Sequence, residues 1–412
     1  MKVFVLRLLL VAATFFGGLK HGLADVVPWT IAINTNNILT VTNSPYNAVG
    51  DGVATNTTAI QNAINAATLG GNTNGLWGGV VRIPAGIFLS GPITLKNNVN
   101  LQVDAGGILR MLPFGAYPVT WFTNNVTNIY FVNGGDFISG SSLTNIAISG
   151  PGAIDGQGLP WWPWANTNNA DRPVMISLSG CNRELIQNIT LSNSPMFHIA
   201  IGGSAGNSTV QGVTIRAPSS GANPPSHNTD ACDVKGTNIL VRDCDISVGD
   251  DNFTCGGNTS DILITNCTYG FGHGVSIGSY TSPYVSNMTV VNCTFNNTDQ
   301  GIRIKTDRDR GGYVHNINYY NLSMTNVMRA ILIYCQYTNT VSAYRAVDSI
   351  SPGVAASYPA ASVTGTTPHF RDITISNLTA TTQSGRAAGL IWGLPESSIS
   401  NVTLAKISIS SQ

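Results

Sequence analysis

Four short clusters carry residues that could perform acid–base chemistry in a chain that is otherwise poor in charge. Only 10% of its 412 residues are Asp, Glu, Lys or Arg. The clusters are Asn228-Thr229-Asp230, Gly249-Asp250-Asp251, Gly272-His273-Gly274 and Arg303-Ile304-Lys305. Neighbouring carboxyl groups can act as a general acid and a general base, because crowding of like charges raises one pKa until that group keeps its proton. The basic pair would bind an anionic group of a ligand.

Glycoside hydrolysis is a reaction that this combination fits. It requires one carboxylic acid to protonate the leaving oxygen and a second carboxylate to activate water. If Asp250 and Asp251 lie in a strand, their side chains face opposite directions, so that one could flank the bond while the other addresses the water.

Each cluster taken alone also has a structural interpretation. Paired aspartates after a glycine commonly form turns, and a single His between glycines is often structural. Arg303 and Lys305 alternate about an apolar residue, as they would on a solvated strand face. Because the four clusters follow one another at similar spacing, their convergence on one site is the better interpretation.

A short β motif returns along the chain from about residue 125 and explains that spacing. Each copy has a turn residue, often Asn, followed by two apolar residues that flank one facing the other way. The copies begin at Asn128, Asn145, Asn188, Gly212, Asn238, Asp261, Asn287, Asn316, Asp372 and Asn401. From Asn188 to Asn316 the intervals are 24, 26, 23, 26 and 29 residues. This pattern predicts a solenoid of three-stranded coils, in which residues one repeat apart stack and the four clusters share one face.

Other segments are predicted to complete the solenoid. A capped amphipathic helix would begin at Asn56-Thr57-Thr58 and end at Gly70-Gly71, covering the first coil. Its apolar positions are Ile60, Ala63, Ile64 and Ala67. Cys244, Cys267 and Cys293 occupy equivalent repeat positions, which predicts stacked thiols and no disulfides between them. Asn at the turns tolerates left-handed backbone and can bond to the Asn of the next coil. Segments 155–172 and 337–368 break the rhythm and are predicted to be loops beside a groove.

The four clusters, in this order and at these spacings, resemble the signature motifs of the polygalacturonases, glycoside hydrolase family 28. Segment 150–158, Trp161-Trp162 and segment 272–279 agree with the same family, and the resemblance runs from about residue 45 to 405. It implies an all-β, right-handed parallel β-helix with an N-terminal capping helix. It also implies hydrolysis of α-1,4-galacturonosidic bonds in polygalacturonate or pectin, with inversion at the anomeric carbon.

The resemblance also implies roles for individual residues. Asp250 would be the general acid, while Asp230 and Asp251 position the nucleophilic water. His273 would hydrogen-bond within the cluster and help to keep the acid protonated. The substrate-binding residues would be Asn228, Arg303, Lys305 and Tyr337, with the two basic residues on the sugar carboxylate.

Several positions depart from the family pattern or leave two interpretations open. Asn252 to Cys255 and Tyr334 to Gln336 differ from the usual residues, which affects the prediction of the sugars that neighbouring subsites accept. Trp161, Trp162 and Trp164 could stack on sugars or pack a loop onto the coil.

The N-terminal segment predicts an exported protein, and the net charge limits its partners. Lys2 and Arg7, the apolar run from Leu8 to Phe16 and the small residues up to Ala24 predict a cleaved signal peptide over 1–24. Residues 25–412 would then form a single catalytic domain, secreted or periplasmic. A formal net charge of zero argues against nucleic acid and anionic membranes as partners. We expect a monomer with a galacturonate-containing polysaccharide as its partner, no cofactor and no metal site.

Alternative functions remain open from the sequence. An exo-acting galacturonosidase, or a hydrolase of rhamnogalacturonan or substituted galacturonan, would belong to the same family. A pectate lyase would need calcium-binding acidic clusters and an arginine base. A non-catalytic polysaccharide-binding solenoid would use the same face for binding alone.

Overall fold

The computed structural model is built almost entirely from short parallel strands that stack coil upon coil. It describes residues 24–411 apart from 25, 28, 72, 120, 124–129, 133–134, 169–170 and 338–357. The proposed signal peptide and the repeat copy that begins at Asn128 therefore lie, wholly or in part, outside the described residues. In the described part, 29 strands join one continuous sheet, and the parallel crossovers make it a right-handed β-helix.

The strands form three columns that run along the solenoid axis. The first column contains β1 Ile38–Thr40, β3 Gly79–Ile83, β6 Val99–Val103, β11 Thr144–Ser149, β14 Asn182–Gln187, β21 Thr259–Thr265 and β24 Tyr284–Val291. The second contains β2 Asp51–Thr55, β4 Gly86–Ser90, β7 Gly107–Met111, β12 Ala153–Asp155, β15 Thr190–Ser192, β17 Thr214–Arg216, β19 Asp245–Ser247, β22 Thr268–Tyr269 and β25 Thr294–Asn296. The third contains β5 Ile93–Thr94, β10 Ile138–Ser141, β13 Ile176–Ser179, β20 Phe253–Cys255, β23 Val275–Ile277, β26 Gln300–Lys305, β28 Arg329–Tyr334 and β30 Gly389–Trp392.

Five longer strands bend from one column into another. They are β16 Ile199–Gln211, β18 Cys232–Arg242, β27 Tyr313–Val327, β29 His369–Thr382 and β31 Ser400–Ser411. A separate antiparallel pair is formed by β8 Trp121–Thr123 and β9 Tyr130–Val132. Among the described residues, no helix is long and apolar enough to cross a lipid bilayer.

Asparagine ladders hold the turns between columns, as the repeat predicts. Asn287, Asn316 and Asn401 all have φ between 50° and 56°, in the left-handed region that Asn tolerates. The Asn316 side-chain amide donates to Asn287 Oδ1 at 2.6 Å, and that of Asn287 donates to Asp261 Oδ1 at 3.0 Å. The carboxamides therefore stack with the coils and fix their register.

The stacked cysteines are thiols, which confirms that prediction. Cys244, Cys267 and Cys293 are free and buried. The Thr268 amide donates to the Cys244 carbonyl at 2.8 Å and the Thr294 amide to that of Cys267 at 3.0 Å, so the three residues occupy successive coils. They act as small apolar residues of the core.

The predicted capping helix is present as α1, Thr57–Ala67. Ile60, Ala63, Ile64 and Ala67 are fully buried against the first coils. The expectation that the Asn56 side chain caps the helix is wrong, because that side chain bonds instead to the backbone of Val49 and Ala54. The helix also ends before the two glycines.

Part of the first predicted loop is helical, which corrects that prediction. Residues Trp161–Asn168 form α2. Trp161 and Trp162 are buried, and Trp161 meets the Phe114 ring edge-on at 4.8 Å between centroids. The Trp162 indole N–H donates to the Ser194 carbonyl at 3.1 Å. Trp161 and Trp162 therefore pack the segment onto the coil and are not exposed for stacking on sugars.

One buried carboxyl should make the stability depend on pH. Glu184, on β14, is 1% exposed, and burial raises its pKa from 4.5 to about 7 despite a 2.9 Å hydrogen bond from the Ser208 hydroxyl. The folded protein then binds this proton more tightly than the unfolded chain does. The stabilisation is complete below about pH 4.5 and is lost as the pH rises to about 7, a change of about 3 kcal/mol.

Unfolding midpoints of the wild type and Glu184→Gln across this pH range measure that contribution. We expect the variant to lose this part of the slope, because its side chain cannot ionise. Equal slopes for the two proteins would contradict the assignment, since all other carboxyl groups are shared.

Candidate active site

One cleft on the outer face of the third column contains every site residue that the sequence predicts. Its volume is about 380 Å³. Asn228, Asp230, Asp250, Asp251, His273, Arg303, Lys305 and Tyr337 all line it. Residues that are about one repeat apart in the sequence thus lie on one face, as expected for a solenoid.

The acidic residues and the histidine lie in the loops that lead into strands of the third column. Asp230, Asp251 and His273 each stand two residues before a strand, namely β18, β20 and β23. Asp250 is in a bend and Asp251 follows it outside any strand, which corrects the expectation that strand alternation separates their side chains. The turn geometry separates them instead, because the two carboxyl groups bond to different partners.

Strand alternation does operate in the strands that form the floor of the cleft. The inward ladder is Val234, Cys255, Ile277 and Ile304. The outward ladder is Asp233, Thr254, Ser276 and Arg303. Burial of the first row in the core forces the second row towards the cleft.

Asp251 is held by three donors. Its Oδ1 accepts from the Ser276 hydroxyl at 2.7 Å and from Arg303 Nη1 at 2.8 Å, while Oδ2 accepts from Lys305 Nζ at 3.0 Å. Burial acts to raise the pKa of Asp251, but the charges of Lys305 and Arg303 outweigh it and hold the pKa below its usual value. This carboxylate is fixed in place and ionised.

Asp250 is bonded to a different set of groups. Its Oδ1 lies 3.0 Å from His273 Nδ1, and its Oδ2 accepts from the Asn228 backbone amide at 3.0 Å. Burial acts to raise the pKa of Asp250, yet the charge and hydrogen bond of His273, the charge of Lys305 and the Asn228 amide lower it. His273 therefore favours the ionised form of Asp250, contrary to the expectation that it helps to keep Asp250 protonated.

Asp230 is the carboxyl of the cleft whose pKa is raised. It is 7% exposed, and burial together with the charges of Asp250 and Asp251 raises its pKa well above the usual value. The cleft thus combines one carboxyl of raised pKa with two carboxyls whose pKa values are lowered. That is the inventory that hydrolysis of a glycoside needs.

Asp299 is a further member of the site that the motif comparison misses. Its Oδ2 lies 3.3 Å from His273 Nε2, so the imidazole faces a carboxyl group through each ring nitrogen. The two contacts fix the plane of the ring between Asp250 and Asp299. The repeat contains the signal, because Asp299 lies 26 residues after His273, which is one coil.

Arg172 and His198 support the Asn228–Asp230 turn from inside the protein. Arg172 donates to the His227 carbonyl at 2.9 Å and to Asn228 Oδ1 at 3.0 Å. The buried His198 ring approaches the Thr229 carbonyl at 3.2 Å through Nδ1 and accepts from the Ser194 amide at 3.4 Å. Burial lowers the pKa of His198 to about 4, so it is a neutral structural residue. No repeat spacing marks either position.

Tyr337 closes the cleft beside the two basic residues. Lys305 Nζ lies 5.3 Å and Arg303 Cζ 6.0 Å from the centre of its ring, and its amide donates to the Thr306 carbonyl at 2.8 Å. Tyr334 is buried beneath it, with ring centroids 6.2 Å apart.

Asn252 is also buried, and it does not face the cleft. Its Oδ1 accepts from the Gly274 amide at 2.8 Å and its Nδ2 donates to the Phe271 carbonyl at 3.1 Å. Asn252 therefore supports the His273 turn, whereas Thr254 and Cys255 of the same departure line the cleft.

A metal ion would have to compete with fixed positive charges here. Ligand atoms of Asp250, Asp251 and His273 lie within 4.8 Å of one another. However, both Asp251 oxygens already pair with Arg303 or Lys305. These side chains therefore form an ion-pair network and do not form a set of oxygen ligands available to a cation.

Sequence comparison decides the family. The profile of glycosyl hydrolases family 28 matches residues 81–412. The chain belongs to this family. An endo-polygalacturonase of Pectobacterium parmentieri is 34% identical over 311 residues, covering 69% of this chain and 73% of the relative. A polygalacturonase of Cryptomeria japonica is 32% identical over 328 residues, covering 76% and 58%.

Solved structures agree with the family 28 assignment. The polygalacturonase from Erwinia carotovora ssp. carotovora superposes with a TM-score of 0.67 at 25% identity, covering 95% of this chain and 98% of that one. An exopolygalacturonase from Thermotoga maritima has the same fold, with a TM-score of 0.67 at 20% identity and coverage of 92% and 89%. Membership in family 28 makes the protein a glycoside hydrolase and decides against the lyase and non-catalytic alternatives.

Proposed function

We propose that this protein hydrolyses α-1,4-galacturonosidic bonds in polygalacturonate or pectin. The observation that carries the proposal is the juxtaposition in one cleft of Asp230, Asp250 and Asp251 with Arg303 and Lys305. The basic pair gives an anionic sugar a partner that a neutral glycan would not use. The names of the related polygalacturonases support the same substrate.

Substrate binding would set the protonation state that catalysis needs. A uronate carboxylate near Arg303 and Lys305 adds negative charge and offsets the cations that hold Asp250 ionised. The pKa of Asp250 then rises relative to that of Asp230, and the proton passes from Asp230 to Asp250. This accounts for Asp250 as the acid of the reacting site although His273 and Lys305 lower its pKa.

The reaction then follows acid–base hydrolysis. Asp250 gives its proton to the glycosidic oxygen as the bond from that oxygen to the anomeric carbon breaks. Asp230 and Asp251, now both ionised, orient a water molecule and accept its proton as the new bond to the anomeric carbon forms. The proton taken from water restores the catalyst. With water as the direct nucleophile, the anomeric carbon inverts.

The remaining parts of the functional proposal concern the whole chain. We propose that residues 1–24 direct export and are removed, and that 25–412 act as one monomeric catalytic domain outside the cytoplasm. Mass spectrometry of the mature N-terminus and light scattering of the purified protein measure these two properties.

The decisive experiment is a product analysis on polygalacturonate with and without a chelator. We expect saturated oligogalacturonides and new reducing ends in both conditions, because the chemistry needs only side chains. Calcium-dependent formation of ultraviolet-absorbing unsaturated products, or binding without any product, would contradict the proposal. The time course separates endo action, which gives a ladder of oligomers, from exo action, which gives monomer alone.

A further inference from the structure

A second lysine stands on the floor of the cleft, several coils away from Lys305. Lys235 is exposed on the outward face of β18 and lines the same cleft. The register of the third column, continued by one residue, brings Lys235, Gly256, Gly278 and Lys305 to equivalent positions on four successive coils. At ~4.8 Å per strand the two lysine backbones are roughly 14 Å apart.

The floor between the two lysines carries no side chains. A Cβ at Gly256 would lie 3.1 Å from Lys235 Cε and 4.0 Å from Cδ, so the lysine stem lies across this glycine. Gly278 has φ +101°, and a Cβ there would be 1.9 Å from the Lys305 carbonyl oxygen. The bare backbone lets the Lys235 stem lie along the cleft and leaves room above it.

The two cations differ in their existing partners. Lys305 Nζ is paired with Asp251 at 3.0 Å. Among the described residues, Lys235 makes no ion pair or hydrogen bond with a side chain. Asp233 lies two residues earlier on the same face, where burial raises its pKa and the charge of Lys235 opposes that rise. A solvated lysine that only stabilises Asp233 is therefore the structural alternative.

An aromatic side chain flanks the same stretch of floor. Tyr280 is 63% exposed and lines the cleft, and its carbonyl accepts from the Gly257 amide at 2.9 Å. The Arg310 guanidinium lies over its ring, 4.9 Å from the centre. A cation, a bare floor and an exposed aromatic wall together match a charged pyranose.

We propose that Lys235 and Tyr280 form a distal subsite that binds the carboxylate of a second uronate unit, separate from the unit at Arg303 and Lys305. The distal subsite rests on the proposed function. Such a subsite makes the enzyme selective for polymers that carry unesterified carboxylates at two separated positions. Substrates too short to span both lysines gain nothing from Lys235.

Steady-state kinetics on a size series of oligogalacturonides, from the dimer upward, test the subsite. We expect Lys235→Gln to raise KM by roughly 3- to 10-fold for the longest substrates, with the smallest effect on the shortest. Lys235→Arg keeps the charge and should restore most of the loss. Lys96→Gln, an exposed lysine outside the cleft, is the matched control.

The possible results separate the subsite from the proposed function. If the wild type hydrolyses the series and Lys235→Gln shows the same KM at every length, the subsite is wrong and the proposed function stands. A lower melting temperature without a length-dependent KM would indicate that Lys235 only supports Asp233. If the wild type releases no product, the proposed function fails. Calorimetric binding of a long oligogalacturonide to Asp250→Asn with and without Lys235→Gln then decides the subsite, and equal affinities overturn it.

Discussion

Asp250→Asn is expected to lower kcat on polygalacturonate by roughly 10²- to 10⁴-fold, the range that a positioned general acid contributes. Asn has nearly the same shape and can still accept from the Asn228 amide, but it has no proton to give to the glycosidic oxygen. KM should change much less, because Arg303 and Lys305 keep their positions. Initial rates of reducing-end release measure both constants.

A matched exchange on the same solenoid controls for structural effects. Asp243→Asn replaces an exposed aspartate in a left-handed turn, where Asn is the usual ladder residue. It should retain wild-type rates and an unchanged circular dichroism spectrum. Rates of Asp250→Asn within a few-fold of wild type would remove Asp250 from the role of acid. Asp230, the carboxyl whose pKa is raised, would then become the leading candidate.

Lys305→Gln should lower kcat/KM on polygalacturonate by roughly 30- to 1,000-fold, as expected when one partner of a buried charge pair is removed. Two effects add. The substrate carboxylate loses a cation, and Asp251 loses Lys305, the largest of the charges that hold its pKa low. A higher pKa of Asp251 means that ionisation requires a higher pH, so the acidic limb of the kcat/KM profile should move to higher pH.

Two comparisons make the Lys305 prediction specific. On methyl-esterified galacturonan, wild type and variant should differ less, because an ester offers no charge to the ammonium. Lys96→Gln should match the wild type on both polymers. If Lys305→Gln leaves KM and the acidic limb unchanged, this lysine takes no part in binding the uronate, and the basic pair reduces to Arg303.

The network around Asp251 explains why the site is built before substrate arrives. Arg303 is 1% exposed although it lies on an outward ladder, because Asp251 and Tyr337 cover it. Serine, arginine and lysine donors together fix one carboxylate without help from the ligand. Such preorganisation lowers the cost of positioning the nucleophilic water in the transition state.

The solenoid and the face that carries the site follow from the amino-acid sequence alone. Period-two alternation and a repeat of 23 to 29 residues can be read directly from the sequence. When the coils stack, residues that are one repeat apart become neighbours. For that reason the sequence predicts that Asp230, Asp250, His273 and Arg303 lie close together. The asparagine ladders and the capping helix follow from equally local rules.

The groups that complete the site, and the pKa shifts of its carboxyls, depend on contacts that no repeat spacing encodes. Arg172 and Asn228 are 56 residues apart in the chain, outside the spacing of one repeat, and meet because a turn brings them together. Burial and the charges of Asp250 and Asp251 raise the pKa of Asp230, whereas His273 and Lys305 lower that of Asp250, and a motif contains neither the burial nor the distances. The burial of Trp161 and Asn252 likewise depends on distant neighbours. A repeat predicts which residues stack, while the surroundings of each side chain decide what that residue can do.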